Sequence, residues 1–350
     1  MQQNILIQGD NYEALKYLIN KGYGGKIDLV YIDPPYATGT DFVVSNGRAS
    51  TISSTRDGIV AYSDRLKGQA FLDFLEKRLV LLKELLSEKG SIYLHIDYKI
   101  GHYVKVLMDK VFGIDNFRSD ISRIKCNPKN FKRIGYGNIK DMVLFYTKSE
   151  NPIWNEPKEM YSDADIEKLF PKVDKNGRRY TTVPIHAPGE TLNPQSFKGL
   201  LPPKGRHWRT DVKTLEEWDA DGLIEWSSNG NPRKKIFSDE QEGKRMQDIW
   251  EFKDPQYPDY PTEKNLEMLK MIVKTSSNLG SIVLDCFCGS GTTLFAAQLL
   301  DRKWIGVDQS ETAIATTEKR LNGLSTGLFA AMGSYEKVEL EDLLEKKMAV

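Results

Sequence analysis

SIVLDCFCGSGTT, residues 281–293, passes from an apolar β-type run through a glycine turn into residues suited to open a helix. Gly289 and Gly291 let the backbone approach a ligand closely, and the unsatisfied N–H groups at a helix start beginning with Thr292 and Thr293 favour an anionic group. The stretch fits the dinucleotide-binding glycine pattern only in part, because Leu294 stands where a third glycine would be. Asp308 ends the next β-type run, KWIGVD (303–308), where a carboxylate can accept hydrogen bonds from ribose hydroxyls. Strand, glycine turn, helix and strand predict a unit of parallel α/β sheet, with Phe287 beside the ligand.

The same rhythm extends outward to the first 150 residues. ILIQ (5–8), KIDLVYID (26–33), SIYLHID (91–97) and DMVLFYTK (141–148) read as strands, with helices over 9–19 and 101–112. Leu72, Leu75, Leu79, Leu82 and Leu86 recur at helical spacing, and Gly90 is the expected stop. Between about 150 and 250, Pro, Gly and Trp interrupt every period, which predicts an inserted loop-rich or irregular β domain. A helix at 262–275 restores the rhythm, and a short charged helix is expected at 338–347. The predicted division is therefore 1–150, an insert at 151–250, 251–323, and a tail at 324–350.

IDPPY supplies the second chemical signal. Pro34 and Pro35 lack backbone donors and fix φ, so the chain leaves the strand in a rigid turn with its carbonyls free to accept. Asp33 and the Pro34 carbonyl can each take one hydrogen of an NH2 group while Tyr36 stacks on the ring that bears it. A solvated, proline-rich turn is the plainer alternative.

Composition sets the outer bounds. The 350 residues carry 49 Lys+Arg and 49 Asp+Glu, so nucleic-acid contact has to be regional. Three cysteines make no disulfide framework, and the spacing of Cys286, Cys288 and the four histidines predicts no metal site. No apolar run is long enough to cross a bilayer and the first residues lack a signal-peptide pattern, so a cytoplasmic protein is expected. His95 and Asp97 read as satisfied core groups rather than a dyad, and Trp218, Trp226 and Trp250 as core of the insert.

Together, Asp33–Tyr36 followed by Phe287, Gly289 and Gly291 resemble the S-adenosylmethionine-dependent amino-methyltransferases of DNA, in the permuted class often called beta. The likeness extends to Ile7–Asp10, to Tyr260–Lys264 and to Gly205–Arg209, and Cys286 departs from it where the family often has proline. The resemblance implies a Rossmann-like methyltransferase sheet with circularly permuted motif order and an inserted target-recognition domain. It implies catalysis by Asp33, Pro34, Pro35 and Tyr36, and cofactor binding by Asp10, Thr262, Lys264, Asp285, Phe287, Gly289, Gly291, Thr292 and Asp308. The expected reaction is site-specific methylation of adenine N6 in a flipped base of double-stranded DNA, with a homodimer and a companion restriction endonuclease as further partners. Asp rather than Ser at position 33 favours adenine; cytosine N4 is the rival. A nicotinamide-dependent oxidoreductase would also want a glycine turn but gives no reason for D-P-P-Y, and a non-enzymatic nucleic-acid-binding module fits the neutral charge poorly.

Two basic clusters are candidates for the DNA. Residues 121–150 hold seven Lys and Arg (Arg123, Lys125, Lys129, Lys132, Arg133, Lys140, Lys148) against Asp141 and Glu150, and Lys129, Lys132 and Arg133 are the selected phosphate contacts. In the insert, Arg206 and Arg209 flank His207 and Trp208. The polar, Gly/Ser/Thr-rich stretch 37–64 is expected to close over DNA as a mobile loop.

Overall fold

The computed structural model describes residues 3–35, 41–45, 48–51, 59–63, 68–128, 132, 134–255, 263–323 and 334–341. It divides into two compact units, residues 1–157 with 247–350, and Lys158–Met246.

The first unit is built on a nine-stranded sheet. Its strands are β1 (Asn4–Gln8), β2 (Ile27–Ile32), β3 (Leu86–Ile96), β4 (Phe117–Ile124), β5 (Lys140–Thr147), β6 (Ile249–Trp250), β7 (Ile282–Asp285), β8 (Lys303–Asp308) and β9 (Tyr335–Glu339). They lie in the order β6-β4-β5-β3-β2-β7-β8-β1-β9. Only β5 runs antiparallel to its neighbours. In β2, Ile27, Leu29, Val30, Tyr31 and Ile32 are all buried, as in a parallel strand covered on both faces. The helices are α1 (Asn11–Leu18), α2 (Gln69–Leu85), α3 (Tyr98–Phe112), α4 (Leu266–Ser276), α5 (Thr292–Leu299) and α6 (Glu311–Gly323). Leu75, Leu79, Leu82 and Leu85 form the apolar stripe of α2 and join one core with Leu15, Val30, Leu94 and Leu284.

Three expectations need correction, and one strand was missed. Gly90 does not stop α2: the helix ends at Leu85, Leu86 is already extended, and Gly90 lies inside β3. Glycine is needed there because a Cβ would sit 2.8 Å from the Ile27 carbonyl oxygen. The charged helix expected at 338–347 starts later: Tyr335–Glu339 forms β9, whose backbone pairs in parallel with β1, and residues 340 and 341 are helical; residues 342–350 lie outside the described residues. The strand Phe117–Ile124 was not foreseen, because its charged residues conceal the pattern. Trp250 belongs to β6 of the main sheet, not to the insert.

The second unit begins and ends inside the expected bounds of 151–250. It holds a four-stranded antiparallel sheet of Lys172–Val173, Arg179–Pro184, Pro232–Phe237 and Ile224–Trp226, in that order. Ile185, Phe197, Leu215 and Ile224 form its core, with Trp208 and Trp218 packed against them. Trp226 stacks on Phe197, centroids 5.6 Å apart. A two-stranded ladder joins His186–Pro188 to Arg206–Trp208. Within the stretch 37–64, Asp41–Ser45 pairs antiparallel with both Arg48–Thr51 and Ile59–Ser63, so part of the expected loop is a small sheet.

Candidate active site

Adjacency in the sheet creates the site. β2, β7, β8 and β1 are consecutive and parallel, although β2 and β7 are far apart in the chain. Their carboxyl ends therefore open on one edge, where ligands of α/β sheets bind. One cavity there is lined by Gly9, Asp10 and Asn11 after β1, and by Asp33, Pro34 and Pro35 after β2. The stretch Asp285–Ser290 from β7 and Asp308 and Gln309 from β8 also line it, with Phe74, Lys264, Leu269, Thr292 and Thr293. Tyr31 completes it from β2 itself.

Hydrogen bonds hold the glycine turn in place. Gly289 N–H donates to Asp308 Oδ2 at 2.9 Å, and Ser310 N–H donates to Asp308 Oδ1 at 2.9 Å. Phe287 N–H donates to Asp285 Oδ1 at 3.0 Å. Gly291 has φ of +72°, and a Cβ on it would lie 2.7 Å from Thr317 Oγ1, so conformation and space both require glycine. Burial pushes the Asp285 carboxyl up to about 7, against the lowering effect of hydrogen bonds from Thr293 and Phe287. Burial also raises Asp308, Cys286 and Cys288. Among the described residues no three His, Cys, Asp or Glu side chains gather as a metal site.

Asp10 caps α1, accepting from Glu13 N–H at 3.1 Å, and takes a bond from Arg78 Nη2 at 3.1 Å. The Arg78 guanidinium lies 3.5 Å over the Phe74 ring, and Phe74 packs 6.2 Å from Phe287. Asn11 Nδ2 donates to the Cys286 carbonyl at 2.9 Å, linking β1 to the glycine turn. Asn11, Tyr31, Phe74 and Arg78 escaped the sequence reading. Arg78 carried a usable signal: it is a charged residue beside Leu75, Leu79 and Leu82 on the buried side of a helix.

Asp33 is paired with Lys264, Nζ to Oδ2 at 2.6 Å. Lys264, expected to serve the cofactor, thus contacts the D-P-P turn while lining the shared cavity. Tyr36 and Thr262 lie outside the described residues. Behind the turn, Tyr31 Oη is 2.9 Å from His95 Nδ1, and His95 Nε2 is 3.2 Å from Asp141 Oδ2. Burial lowers His95, so a neutral ring accepts from Tyr31 and donates to Asp141. Asp97 caps α3, accepting from Lys99 N–H at 2.9 Å. Both residues are satisfied structural groups.

The basic stretch 121–150 presents less free charge than its sequence suggests. Arg123 is fully buried and paired with Asp254, and Lys125 Nζ lies 2.6 Å from Asp141 Oδ1, so internal carboxylates offset both cations. Lys132 is exposed; Lys129 and Arg133 fall outside the described residues. In the second unit Arg206 and Arg209 are exposed, Arg206 Nη1 lying 3.2 Å from His186 Nδ1 and Arg209 Nε donating to the His186 carbonyl at 3.2 Å.

A family model described as DNA methylase, N6_N4_Mtase, matches residues 27–319. The type II methyltransferase M.EcaI of Enterobacter cloacae is 40% identical over 99% of this chain and 75% of its own length. The EcoPI Mod subunit of a type III restriction-modification enzyme, from Escherichia phage P1, is 28% identical over 86% of this chain. The chain spans 56% of that subunit's length. The DNA adenine methyltransferase YhdJ of Escherichia coli (strain K12) is 24% identical over 91% of this chain and 82% of its own. With a match spanning most of the chain and a relative of this identity along nearly all of it, the chain belongs to the N6/N4 DNA methylase family.

Proposed function

We propose that the protein transfers a methyl group from S-adenosylmethionine to N6 of an adenine flipped out of duplex DNA. The motif order is the permuted one, with the D-P-P-Y turn ahead of the F-x-G-x-G turn. The observation that carries this reading is the pairing of β2 with β7, Leu29 opposite Val283 and Val30 opposite Leu284, because it joins the amine-accepting turn and the glycine turn in one cavity. The names of M.EcaI and YhdJ support a methyltransferase, and that of YhdJ supports adenine.

The lining fits the cofactor. Gly289 admits a ligand close to the backbone, Asp308 has lone pairs for ribose hydroxyls beyond the backbone N–H groups it accepts from, and Phe74 and Phe287 give an aromatic wall. S-adenosylmethionine supplies an electrophilic methyl on a sulfonium centre. Asp33 and the Pro34 carbonyl accept the two amine hydrogens, which draws the delocalised nitrogen lone pair toward tetrahedral geometry and aims it at the methyl. Orientation and fixed dipoles supply most of the acceleration. Tyr36 is assigned the stacking surface for the flipped base, whose extraction costs a few kcal/mol. Tritium transfer from methyl-labelled S-adenosylmethionine to duplex DNA tests the reading, and DNA of mixed sequence that remains unlabelled contradicts it.

The cofactor set yields a pH prediction. Asp285, raised to about 7, loses its proton as pH climbs through neutrality, and its carboxylate attracts a cationic ligand. Affinity for S-adenosylmethionine therefore rises severalfold between about pH 6 and about pH 8, and Asp285→Asn flattens that rise. Calorimetry across the range checks it; a flat wild-type profile contradicts the assignment.

We assign sequence choice to the second unit, where Arg206 in the ladder and Arg209 just after it are exposed to solvent. Exchanging Lys158–Met246 for the matching segment of a relative is expected to change the methylated site. Sequencing that finds the site unchanged moves recognition to residues 37–64.

A further inference from the structure

Three aspartates end strands at this edge and line the cavity: Asp33 after β2, Asp285 in β7 and Asp308 in β8. Two are oriented by their own chain. Asp285 Oδ1 accepts from the N–H of Phe287, and Asp308 Oδ1 from the N–H of Ser310, in each case two residues on. Asp33 has no such resource, because the residue two positions on is Pro35 and the one between is Pro34, and neither has an N–H. The feature that leaves the Pro34 carbonyl open to an amine also removes the two N–H groups that follow the carboxylate directly.

Lys264 supplies a donor from outside the turn. Its Nζ lies 2.6 Å from Asp33 Oδ2, with side-chain exposures of 9% for Lys264 and 17% for Asp33. The neighbours of Lys264 are anchored. Asn265 caps α4 through Met268 N–H at 3.1 Å and donates through Nδ2 to the Lys253 carbonyl at 2.8 Å. Glu263 pairs with Arg320, whose Nη1 donates to Thr292 Oγ1 at 2.5 Å, at the start of α5. The strap Glu263–Asn265 thus runs from the glycine turn to the catalytic turn, held on both sides of Lys264.

We propose that Lys264 is the positioning residue for Asp33, and that the strap ties the aim of that carboxylate to the glycine turn. The inference rests on the methyl transfer proposed above. An ammonium donates and never accepts, while a carboxylate has about four lone-pair sites, so Asp33 can hold Lys264 and a substrate amine together. Lys264 acts through Asp33; its presence in the cavity lining does not make it a cofactor ligand.

The test compares wild type, Lys264→Met, Lys264→Gln and Lys264→Arg in single-turnover methyl transfer to duplex DNA at saturating cofactor, with S-adenosylmethionine affinity from calorimetry. Misaiming a reacting group by about 1 Å costs about 100-fold, so both uncharged variants are expected to slow the transfer step by that order. Their cofactor dissociation constants stay within about threefold of wild type, and the retained cation of Lys264→Arg restores at least about tenfold of the lost rate. Wild-type rate in either uncharged variant overturns the proposal. Weakened cofactor binding with an unchanged rate at saturation also overturns it, making Lys264 a cofactor ligand. If Lys264→Met does not fold, Lys264→Gln decides alone. A wild-type protein that transfers no methyl fails at the reaction itself and takes this inference with it, a result distinct from loss in the variants only.

Discussion

Asp33→Ala is expected to bind S-adenosylmethionine within about threefold of wild type while transferring methyl at least about 100- to 1000-fold more slowly, the usual cost of deleting a preorganised hydrogen-bond partner of the transition state. The effect falls on the reaction because Asp33 leaves β2 on the amine-accepting turn, while the glycine turn is held by Asp308 and Asp285 without it. Asp33→Asn is the sharper variant: it keeps the shape but replaces one acceptor oxygen with a donor that opposes the amine hydrogens. Single-turnover rates beside calorimetry separate the two effects. Lost cofactor affinity at an unchanged saturated rate would move Asp33 into the cofactor set.

The largest expected effect on stability lies behind the site. Asp141 is 2% exposed and faces His95 Nε2 at 3.2 Å, Lys125 Nζ at 2.6 Å and Arg123 Nη1 at 3.9 Å. Asp141→Ala leaves a fully buried Arg123 with only Asp254 of its two carboxylates and takes the acceptor from His95, a loss of about 3–5 kcal/mol. Urea denaturation reads it as a lower midpoint at unchanged slope. These partners hold the Asp141 carboxyl well below the usual carboxylate range. With the folded value depressed, its contribution is present above the unfolded value of about 4 and fades as pH falls below it. The variant should therefore lose part of the wild-type response to acid; an unchanged midpoint would mean that Arg123 and Lys125 find other partners.

The same ion pairs explain where sequence reading failed. β2, β7 and β8 were legible because strands buried on both faces read as continuous apolar runs, and the turns after β2 and β7 announce themselves with proline and glycine. β4, FRSDISRI, was not, because Arg123 is buried only by virtue of Asp254 and Asp141, partners that no local window contains. The same pairing makes 121–150 look more basic than its surface is. β9 was hidden because its charged YEKVE pattern needs β1 beside it to be a strand.

Of the site, the residues at strand ends could be named from sequence, since their chemistry is local. Arg78, Phe74 and Asn11 could not, because α2 and the end of β1 reach the cavity only once the sheet has assembled. The pairing of Lys264 with Asp33 was not legible: a side chain before a helix carries no local sign of which strand end it meets.

Adenine N6 methylation of duplex DNA is assigned to the turn formed by Asp33, Pro34 and Pro35. Its most direct test is nucleoside mass spectrometry of duplex DNA of mixed sequence after incubation with wild-type protein and S-adenosylmethionine, beside Asp33→Asn. N6-methyladenine is expected with wild type and none above background with the variant. N4-methylcytosine as the sole product would contradict the base assignment, and N6-methyladenine formed equally by both proteins would contradict the role of Asp33.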